Sequence, residues 1–436
     1  MVRASAVGSA IEWYDFFLFG TAAAIVFPHV FFPSFDPLAG TLASFGAFAA
    51  GFIARPIGGL VAGHLGDRIG RKSMLVMTIL VMGTASFLMG LLPTYGQIGV
   101  WAPVLLVILR IAQGFGVGGE MAGAQLMCVE YAPDNRRGIM GCWPIGTAMF
   151  GLAGASAMLA LGEALLTQDQ FMSWGWRVPF LISIFLVAVG MLIRVRVLET
   201  PVFRDVLDRR DQEKIPFLQL VREFPGQALR AVGMYLGITV VYYVVTVFLV
   251  SYATKELQMQ HAVVLVVVVL AQVVNLGTCL LGAALSDRIG RRPVFIGFAS
   301  AVIVVAFPSF ALIDHAEPWS LFLGAALLGG CLFGYGGVQG AFFAESFPPR
   351  LRYTAVAMST TVATLIGGAL TPALGTLLVT WSGGSSEGVA LYVIVLAAIG
   401  GGCAFFSKET YKLPLHETTP TAFSSKSPTE RSLNDV

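Results

Sequence analysis

The residues with the clearest capacity for chemistry are a few ionisable side chains inside long apolar stretches. Glu12 and Asp15 lie three residues apart in the first stretch, Arg55 lies in the second, and Arg110 and Glu120 lie ten residues apart in the fourth. Charged groups are costly in an apolar medium, so they usually face a wet cavity or one another. A carboxylate that exchanges a proton for a nearby guanidinium can bind and release that proton.

Each of these five side chains therefore has a predicted role. We expect Asp15 and Glu120 to carry a proton, with Glu12 as a third candidate. Arg110 is the best candidate to bind either a carboxylate substrate or an unprotonated acid, because a guanidinium pairs with carboxylates through two parallel bonds. Arg55 is expected to contact substrate or to belong to a gate. The alternative is a static ion-pair network that fixes helix packing.

Neutral polar side chains predominate in the apolar stretches of the second half. Hydroxyl and amide groups suit a solute that carries hydroxyls or carbonyls. Packing, or a position at the membrane interface, is the alternative for such residues. The predicted substrate-binding residues of this half are Tyr235, Thr239, Tyr242, Tyr243, Gln272, Asn275, Tyr335 and Gln339.

The composition indicates a membrane protein. Of the 436 residues, 56% are hydrophobic and 12% are charged, which is about half the charge of an ordinary soluble domain. The formal net charge of +2 and the lack of a basic stripe argue against a disordered chain and against nucleic-acid binding. The five cysteines are widely spaced and the five histidines have no partner at ligand spacing. We therefore predict neither a metal site nor a cofactor.

Twelve stretches are long and apolar enough to cross a bilayer, which takes roughly 20 residues of helix. The sequence therefore predicts an all-α membrane protein with twelve transmembrane helices. The predicted spans lie near residues 6–29, 41–63, 73–93, 102–128, 139–162, 177–198, 229–252, 263–285, 293–313, 319–341, 354–380 and 389–406.

The basic residues predict how these spans are oriented. Short cytoplasmic loops accumulate Lys and Arg, and nearly all the basic loop residues fall on one side of the alternating spans. Both termini are therefore expected to be cytoplasmic. The longest polar connection divides the chain into a six-helix bundle at 1–198, a cytoplasmic linker at 199–228 and a second six-helix bundle at 229–406. Residues 407–436, rich in Ser, Thr, Pro and Lys, are predicted to be a disordered cytoplasmic tail.

Two loop sequences occur once in each half. GHLGDRIGRK at 63–72 returns as AALSDRIGRR at 283–292, and EYAPDNRRG at 130–138 matches ESFPPRLRY at 345–353. The first pair follows the second span of each half, and the second pair follows the fourth span, as a duplication requires. The repeat therefore predicts two pseudo-symmetric six-helix bundles.

The charged residues of these repeated loops are predicted to form a cytoplasmic gate. An Asp flanked by Arg makes charge-assisted hydrogen bonds, and exposed ion pairs are weak enough to break when the bundles separate. Simple anchoring of the loops by positive charge is the alternative, but it does not explain the repeated Asp and Gly. The predicted gate residues are Asp67, Arg68, Arg71, Glu130, Arg137, Asp287, Arg288, Arg291, Glu345 and Arg352.

The repeated DRIGRK and DRIGRR loops resemble the loop motif of the major facilitator superfamily. GSAIEWYDFFLFG at 8–20, RPIGG at 55–59, RIAQGFGVGGE at 110–120 and WGWRVPFLIS at 174–183 are similar to the metabolite:proton symporter family within it. That family takes up shikimate, 2-oxoglutarate, citrate, other carboxylates, or proline and betaine. The sequence of these motifs is most similar to that of shikimate-type and 2-oxoglutarate-type permeases. The motifs are specific for the family and much less specific for the substrate.

The resemblance implies proton-coupled uptake of a small organic anion by alternating access, in the inner membrane of a bacterium. The expected partners are that anion, a proton and the lipid bilayer. Uptake of a zwitterionic solute such as proline or betaine is the alternative, followed by facilitated diffusion or export. An enzyme is not expected, because the sequence has no phosphate loop, metal-spaced His/Cys set or nucleophile elbow. The oligomeric state is left open.

Overall fold

A computed structural model describes most of the chain, and all its regular structure is helical there. The described residues are 2–69, 71–117, 120–195, 216–413 and 415, with only the backbone described for 2–9, 60–69, 71–76, 120–121, 190, 192–195, 216–218 and 350.

Fourteen of the described helices build the molecule. They are α1 (Val2–Ile25), α2 (Pro37–Ile69), α3 (Arg71–Leu91), α4 (Trp101–Val117), α5 (Glu120–Glu130), α6 (Trp143–Leu165), α7 (Arg177–Val195), α8 (Pro225–Tyr243), α9 (His261–Ile289), α10 (Arg291–Ile313), α11 (Pro318–Ser346), α12 (Pro349–Ala363), α13 (Thr371–Trp381) and α14 (Glu387–Phe405). Short helical segments lie between them at Phe27–Val30, Tyr95–Ile98, Asp134–Arg136, Arg137–Gly141, Gln168–Gln170, Phe171–Gly175, Pro216–Glu223, Val244–Phe248, Leu249–Lys255 and Thr364–Gly368.

Each of the twelve predicted spans overlaps one or two of these helices, which confirms the predicted fold class. Within the described residues, nine helical segments are long and apolar enough to cross a membrane, or ten if Gln168–Gly175 and Arg177–Val189, bent by 42°, count as one span. Several helices extend beyond their predicted spans. α9 has 29 residues and is about 44 Å long, so its polar end reaches past a hydrocarbon core of about 30 Å.

The helices form two bundles. In the amino-terminal bundle, α1 packs on α6, α2 on α4, and α3 on α7. In the carboxy-terminal bundle, α11 packs on both α9 and α10, while α14 packs on α8 and α10. The main contact between the bundles runs along α6 and α9. The boundaries predicted for the linker stay a prediction, since residues 196–215 lie outside the described part of the chain.

Glycines permit the same close crossing in both bundles. A Cβ atom on Gly114 of α4 would overlap the backbone of Gly51 in α2, and a Cβ atom on Gly282 of α9 would overlap the backbone of Gly334 in α11. Small residues let helix backbones approach closely in a membrane. These two crossings hold the polar residues of α2, α4 and α11 in fixed positions around the centre of the molecule.

Candidate functional site

A cavity lies between the two bundles, and the space between its atoms, open solvent included, is about 880 Å³. Both bundles contribute to its wall. The lining residues are Glu12, Trp13, Arg55, Val117, Ala122, Ile145 and Ala148 from the amino-terminal bundle, and Tyr235, Ile238, Thr239, Tyr242, Tyr243, Leu332, Phe333, Gly336, Gln339, Ala357, Thr360, Thr361 and Thr364 from the other.

Seven of the residues predicted to act on substrate or proton line this cavity, and five others with described side chains do not: Asp15, Arg110, Gln272, Asn275 and Tyr335. Those that line it are Glu12, Arg55, Tyr235, Thr239, Tyr242, Tyr243 and Gln339. Gln272 and Asn275 lie elsewhere in α9, where the amide of Asn275 donates to Gln272 at 3.3 Å. The hydroxyl of Tyr335 donates to the Gly237 carbonyl at 3.1 Å, which ties α11 to α8.

Three polar groups of the cavity wall have buried atoms without a hydrogen-bond partner among the described residues. They are both amide atoms of Gln339, the hydroxyl of Tyr242 and Nε of Arg55. Buried polar atoms are normally paired, because leaving one unpaired costs about 1–3 kcal/mol. These atoms are therefore candidates for hydrogen bonds to a solute in the cavity.

Aromatic rings hold the guanidinium of Arg55 at the cavity wall. Its central carbon lies 4.5 Å from the ring centre of Phe16 and 4.9 Å from that of Phe52. Cation–π contacts of this kind stabilise a buried cation without neutralising it. Arg55 therefore presents positive charge to the cavity.

A second aromatic group spans the two bundles beside this arginine. The ring of Tyr242 lies 6.0 Å from Trp13, 5.5 Å from Phe17 and 5.5 Å from Phe333, measured between ring centres. Rings at these distances pack favourably beyond their buried area. Tyr242 thus contacts helices α1 and α11 at once, and its hydroxyl is one of the unpartnered atoms of the cavity wall.

Behind Phe16, away from the cavity wall, lies a polar cluster buried in the amino-terminal bundle. Arg110 is 1% exposed, and its Nη1 donates to Oε1 of Gln113, while its Nε donates to the Phe48 carbonyl at 3.5 Å. Nε2 of Gln113 then donates to the Ser86 hydroxyl at 2.7 Å. Arg110 also lies over Phe16, 4.5 Å from the ring centre, so Phe16 touches the guanidinium groups of both the cavity and the cluster.

Asp15 belongs to this cluster and is fully buried, at 0% exposure. Neither of its carboxylate oxygens has a hydrogen-bond partner among the described residues. Its polar neighbours are Ser86, Ser183 and Arg110. Glu12 and Asp15 lie three residues apart on α1, a turn of about 300°, and only Glu12 reaches the cavity. The side chain of Glu120 lies outside the described residues.

At the face that carries the basic loops, called the basic face from here on, α9, α10 and α11 meet in a buried ion cluster. Arg291 donates to Asp287 at 2.6 Å and to both oxygens of Glu345 at 3.0 and 3.1 Å. Buried ion pairs add little stability by themselves, yet removing one partner is strongly unfavourable. The cluster therefore fixes the ends of three helices relative to one another.

Contacts between the bundles at the basic face join matching positions of the sequence repeat. Arg137 of the first half lies 3.7 Å from Glu345 of the second, and Arg352 of the second lies 3.3 Å from Glu130 of the first. The Arg of each half therefore lies next to the Glu of the other half, as a two-fold relation between the halves requires.

Asp287 also accepts hydrogen bonds from backbone N–H groups across the same interface. Its carboxylate accepts from the backbone N–H groups of Gly138 at 2.8 Å and Ile139 at 3.0 Å, at the start of the helical segment Arg137–Gly141. Helix starts favour negative charge, because their N–H groups are unpaired and the dipole is positive there. Arg288 is exposed at this face, and the side chains of Asp67, Arg68 and Arg71 lie outside the described residues.

The chain directly after α14 joins this cluster, unlike the disordered tail predicted to begin at residue 407. Glu409 accepts from the backbone N–H groups of Arg291 and Arg292, at 2.9 and 3.0 Å. The Leu413 carbonyl accepts from Arg137 at 2.8 Å. The first N–H groups of a helix need outside acceptors, and Glu409 supplies them for α10. Residues from 416 onward lie outside the described part of the tail.

The opposite face also has contacts between the bundles. His261 Nδ1 lies 3.0 Å from a carboxylate oxygen of Glu163, and Lys255 donates to the hydroxyl of Thr41. Within the described residues, no group of three or more His, Cys, Asp or Glu side chains could hold a metal ion. The polar clusters are thus built from ion pairs and hydrogen bonds.

Comparison with known proteins identifies the family. Residues 6–372 match the family described as the Major Facilitator Superfamily. A relative named inner membrane metabolite transport protein YhjE, from Escherichia coli, is 39% identical over 91% of this chain and 90% of its own length. The chain belongs to the major facilitator superfamily. The family predicted from the repeated loops is therefore confirmed: the protein is a multi-pass metabolite transporter of the inner-membrane type, and not an enzyme.

Two further relatives differ in the solutes named for them. The shikimate transporter of Escherichia coli is 36% identical over 94% of both chains. The proline/betaine transporter of Salmonella typhimurium is 34% identical over 97% of this chain and 85% of its own. Among solved structures, a D-xylose-proton symporter matches with a TM-score of 0.74 at 17% identity, covering 94% of this chain and 98% of its own. That match supports the major facilitator fold.

Several residues of the transporter's site were missed by sequence reasoning. Trp13 and Phe333 line the cavity, as do three threonines near the start of the eleventh predicted span, Thr360, Thr361 and Thr364. The threonines did carry a signal, since they form a polar run in an apolar stretch. Ser86 and Gln113 were missed because neutral side chains carry no charge signal in an apolar stretch, yet these two complete the cluster around Arg110.

Replacing Asp287 with Asn should open the basic face. Asn keeps one neutral acceptor, so the change loses about one charge-assisted bond to Gly138 or Ile139, worth about 1.5–3 kcal/mol, and we expect the separated arrangement to gain population roughly 10- to 100-fold. Spin labels at Tyr131 and Phe406, exposed on different bundles, would report this as a longer distance in double electron–electron resonance.

Asp134 provides the matched control for that measurement. It is exposed and pairs with Arg137 within the amino-terminal bundle, so Asp134→Asn should leave the distance distribution unchanged. Equal distributions for Asp287→Asn and the unmodified transporter would contradict a sealing role for Asp287.

Proposed function

We propose that the transporter couples uptake of a small organic anion to uptake of a proton by alternating access. The observation that carries this proposal is the cavity between the bundles, where the cation Arg55 lies beside the unpartnered polar atoms of Gln339 and Tyr242. A guanidinium and neutral hydrogen-bond donors together suit a carboxylate on a hydroxylated or carbonyl-bearing skeleton. The relative named as a shikimate transporter supports the same solute class.

Proton coupling is proposed for the buried cluster rather than for the cavity wall. Asp15 and Arg110 lie close together behind Phe16, inside the amino-terminal bundle. An anion entering a cell with a negative interior is opposed by about 2.3 kcal/mol per charge per 100 mV, and a proton carried with it offsets that cost. Because Arg110 does not line the cavity, we assign it to the acid and assign the solute to Arg55.

Orientation and mechanism follow from the same proposal. We infer that the basic face is cytoplasmic, because Lys and Arg are retained on that side of bacterial inner membranes. Both termini then lie in the cytoplasm. Alternating access would break the basic-face contacts and the Glu163–His261 and Lys255–Thr41 contacts in turn, as one bundle rocks against the other.

A zwitterionic solute is the second candidate. Glu12 and Arg55 both line the cavity, so a carboxylate and a cationic amine could each find an opposite charge. The relative named as a proline/betaine transporter supports this candidate.

Uptake by the purified full chain in proteoliposomes separates the two candidates. The solutes are labelled shikimate, 2-oxoglutarate, citrate and betaine, each with and without an inward proton gradient. We expect one of the anions to accumulate with the gradient and to stop accumulating when a protonophore is added. Accumulation of betaine alone would favour the zwitterion, and accumulation that ignores the protonophore would overturn proton coupling.

A further inference from the structure

In the buried cluster, the side chain of Gln113 links Arg110 to Ser86, the serine next to Asp15. Its amide orientation is fixed by its partners, since a guanidinium only donates and must therefore face the amide oxygen. The amide nitrogen is fixed in turn by its bond to the Ser86 hydroxyl. Gln113 is 1% exposed, so no solvent molecule can substitute easily for either bond.

The hydroxyls next to Asp15 donate to backbone carbonyls of their own helices. Ser86 donates to the Met82 carbonyl at 3.1 Å, and Ser183 donates to the Phe180 carbonyl at 2.7 Å. A hydroxyl has one proton, so each serine must turn that proton away from its carbonyl before it can donate to a carboxylate. Asp15 is thus without a donor on either oxygen among the described residues.

Arg110, the nearest cation, is also directed elsewhere. Its bonds go to the neutral oxygens of Gln113 and Phe48, and its Nη2 has no partner among the described residues. An ionised carboxylate that is buried without a bonded cation or donor is strongly unfavourable, even when a cation lies nearby. The arrangement therefore fits a neutral, proton-bearing Asp15, whose own hydroxyl can donate to the lone pairs of the neighbouring serine oxygens.

We propose that Gln113 is the exchange partner of Arg110: it holds the guanidinium while Asp15 carries a proton, and releases it to the Asp15 carboxylate when the proton leaves. Charge-assisted bonds are roughly twice as strong as neutral ones, so an ionised Asp15 displaces the amide. Gln113 is a positioning residue, because it acts on the proton site through Arg110. This inference rests on the proposed proton coupling.

Three other ionisable groups lie near the pair. Tyr14 neighbours Asp15 on α1, and Arg55 and Tyr243 neighbour Arg110 from α2 and α8. None of these three needs to change its protonation in the proposed step. Gln113 therefore sets the balance between the two partners of Arg110.

Two substitutions at Gln113 should move the proton dependence of transport in opposite directions. Gln113→Leu removes the acceptor, which leaves Arg110 unpaired when Asp15 is neutral and so favours the ionised pair. The pH of half-maximal uptake should fall by about one unit, a tenfold change in proton affinity. Gln113→Glu supplies a competing carboxylate that keeps Arg110 away from Asp15, so the same midpoint should rise by about one unit.

The measurement is the initial rate of solute uptake against pH, at saturating solute and clamped membrane potential, in proteoliposomes. Thr21→Val is the matched control, since it removes a buried polar group of α1 outside the cluster, and its midpoint should equal that of the unmodified chain. Midpoints for the Gln113 variants that stay unchanged, or that move in the same direction, would overturn the role of Gln113 while leaving proton coupling intact. A flat pH profile for the unmodified chain would overturn the coupling proposal and this inference together.

Discussion

Asp15→Asn abolishes proton-driven accumulation while solute exchange continues. An amide cannot bind and release a proton, but it has the shape of the neutral carboxyl that fits the buried cluster. We expect the accumulation ratio under an imposed proton gradient to fall to the value found without one. Exchange of labelled for unlabelled solute across the membrane, which needs no net proton movement, should persist.

Two companion variants sharpen that test. Asp169→Asn makes the same chemical change at an exposed position of the opposite face, and it should keep full accumulation. Glu120→Gln tests the second predicted carrier, whose side chain lies outside the described residues. Gradient-driven accumulation at the unmodified rate in both Asp15→Asn and Glu120→Gln would show that neither acid carries the coupled proton.

Arg55→Ala weakens binding of the anion by roughly 10- to 100-fold, because hydrogen bonds to charged groups are worth about 1.5–3 kcal/mol. The KM for uptake is the measurement. Arg55→Lys should lose less, since it keeps the charge but not the paired geometry of a guanidinium.

Arg222 supplies the control for that measurement. It is exposed on the short helix Pro216–Glu223, so Arg222→Ala should leave the KM unchanged. An unchanged KM in Arg55→Ala would mean that the anion is held by another group. A KM that rises for betaine as strongly as for an anion would indicate that Arg55 recognises any carboxylate.

The spans and the repeat were predictable because the bilayer and the duplication leave direct traces in the sequence. Every backbone group in hydrocarbon needs a partner within its own helix, so spans appear as long apolar runs. The exchanged pairs Arg137–Glu345 and Glu130–Arg352 follow the alignment of the two loops, which is visible without any structure.

Which side of each helix faces the cavity was not predictable, because these helices are apolar all round. Tyr335 and Gln339 lie four residues apart on α11, and only Gln339 lines the cavity. The hydroxyl of Tyr335 reaches the backbone of Gly237 instead. The rotation of a helix about its axis depends on how its neighbours pack. This rotation cannot be read from a single sequence.

The position of Glu409 could not be predicted from the sequence for a different reason. Composition alone places it in a polar tail, yet its carboxylate caps the start of α10 through two backbone N–H groups. Such bonds depend on an unpaired helix start lying nearby, which is a property of the folded chain. Polar residues directly after a last span therefore need a structure before they are assigned to a tail.

The most direct test of the account is simultaneous measurement of proton and solute entry into proteoliposomes. With a pH-sensitive dye inside the vesicles and labelled solute outside, we expect that adding the anion acidifies the interior in fixed proportion to the solute that enters. The same experiment with Asp15→Asn should show no net acidification while labelled solute still exchanges with unlabelled solute. Net solute entry without proton entry in the unmodified transporter would contradict the account.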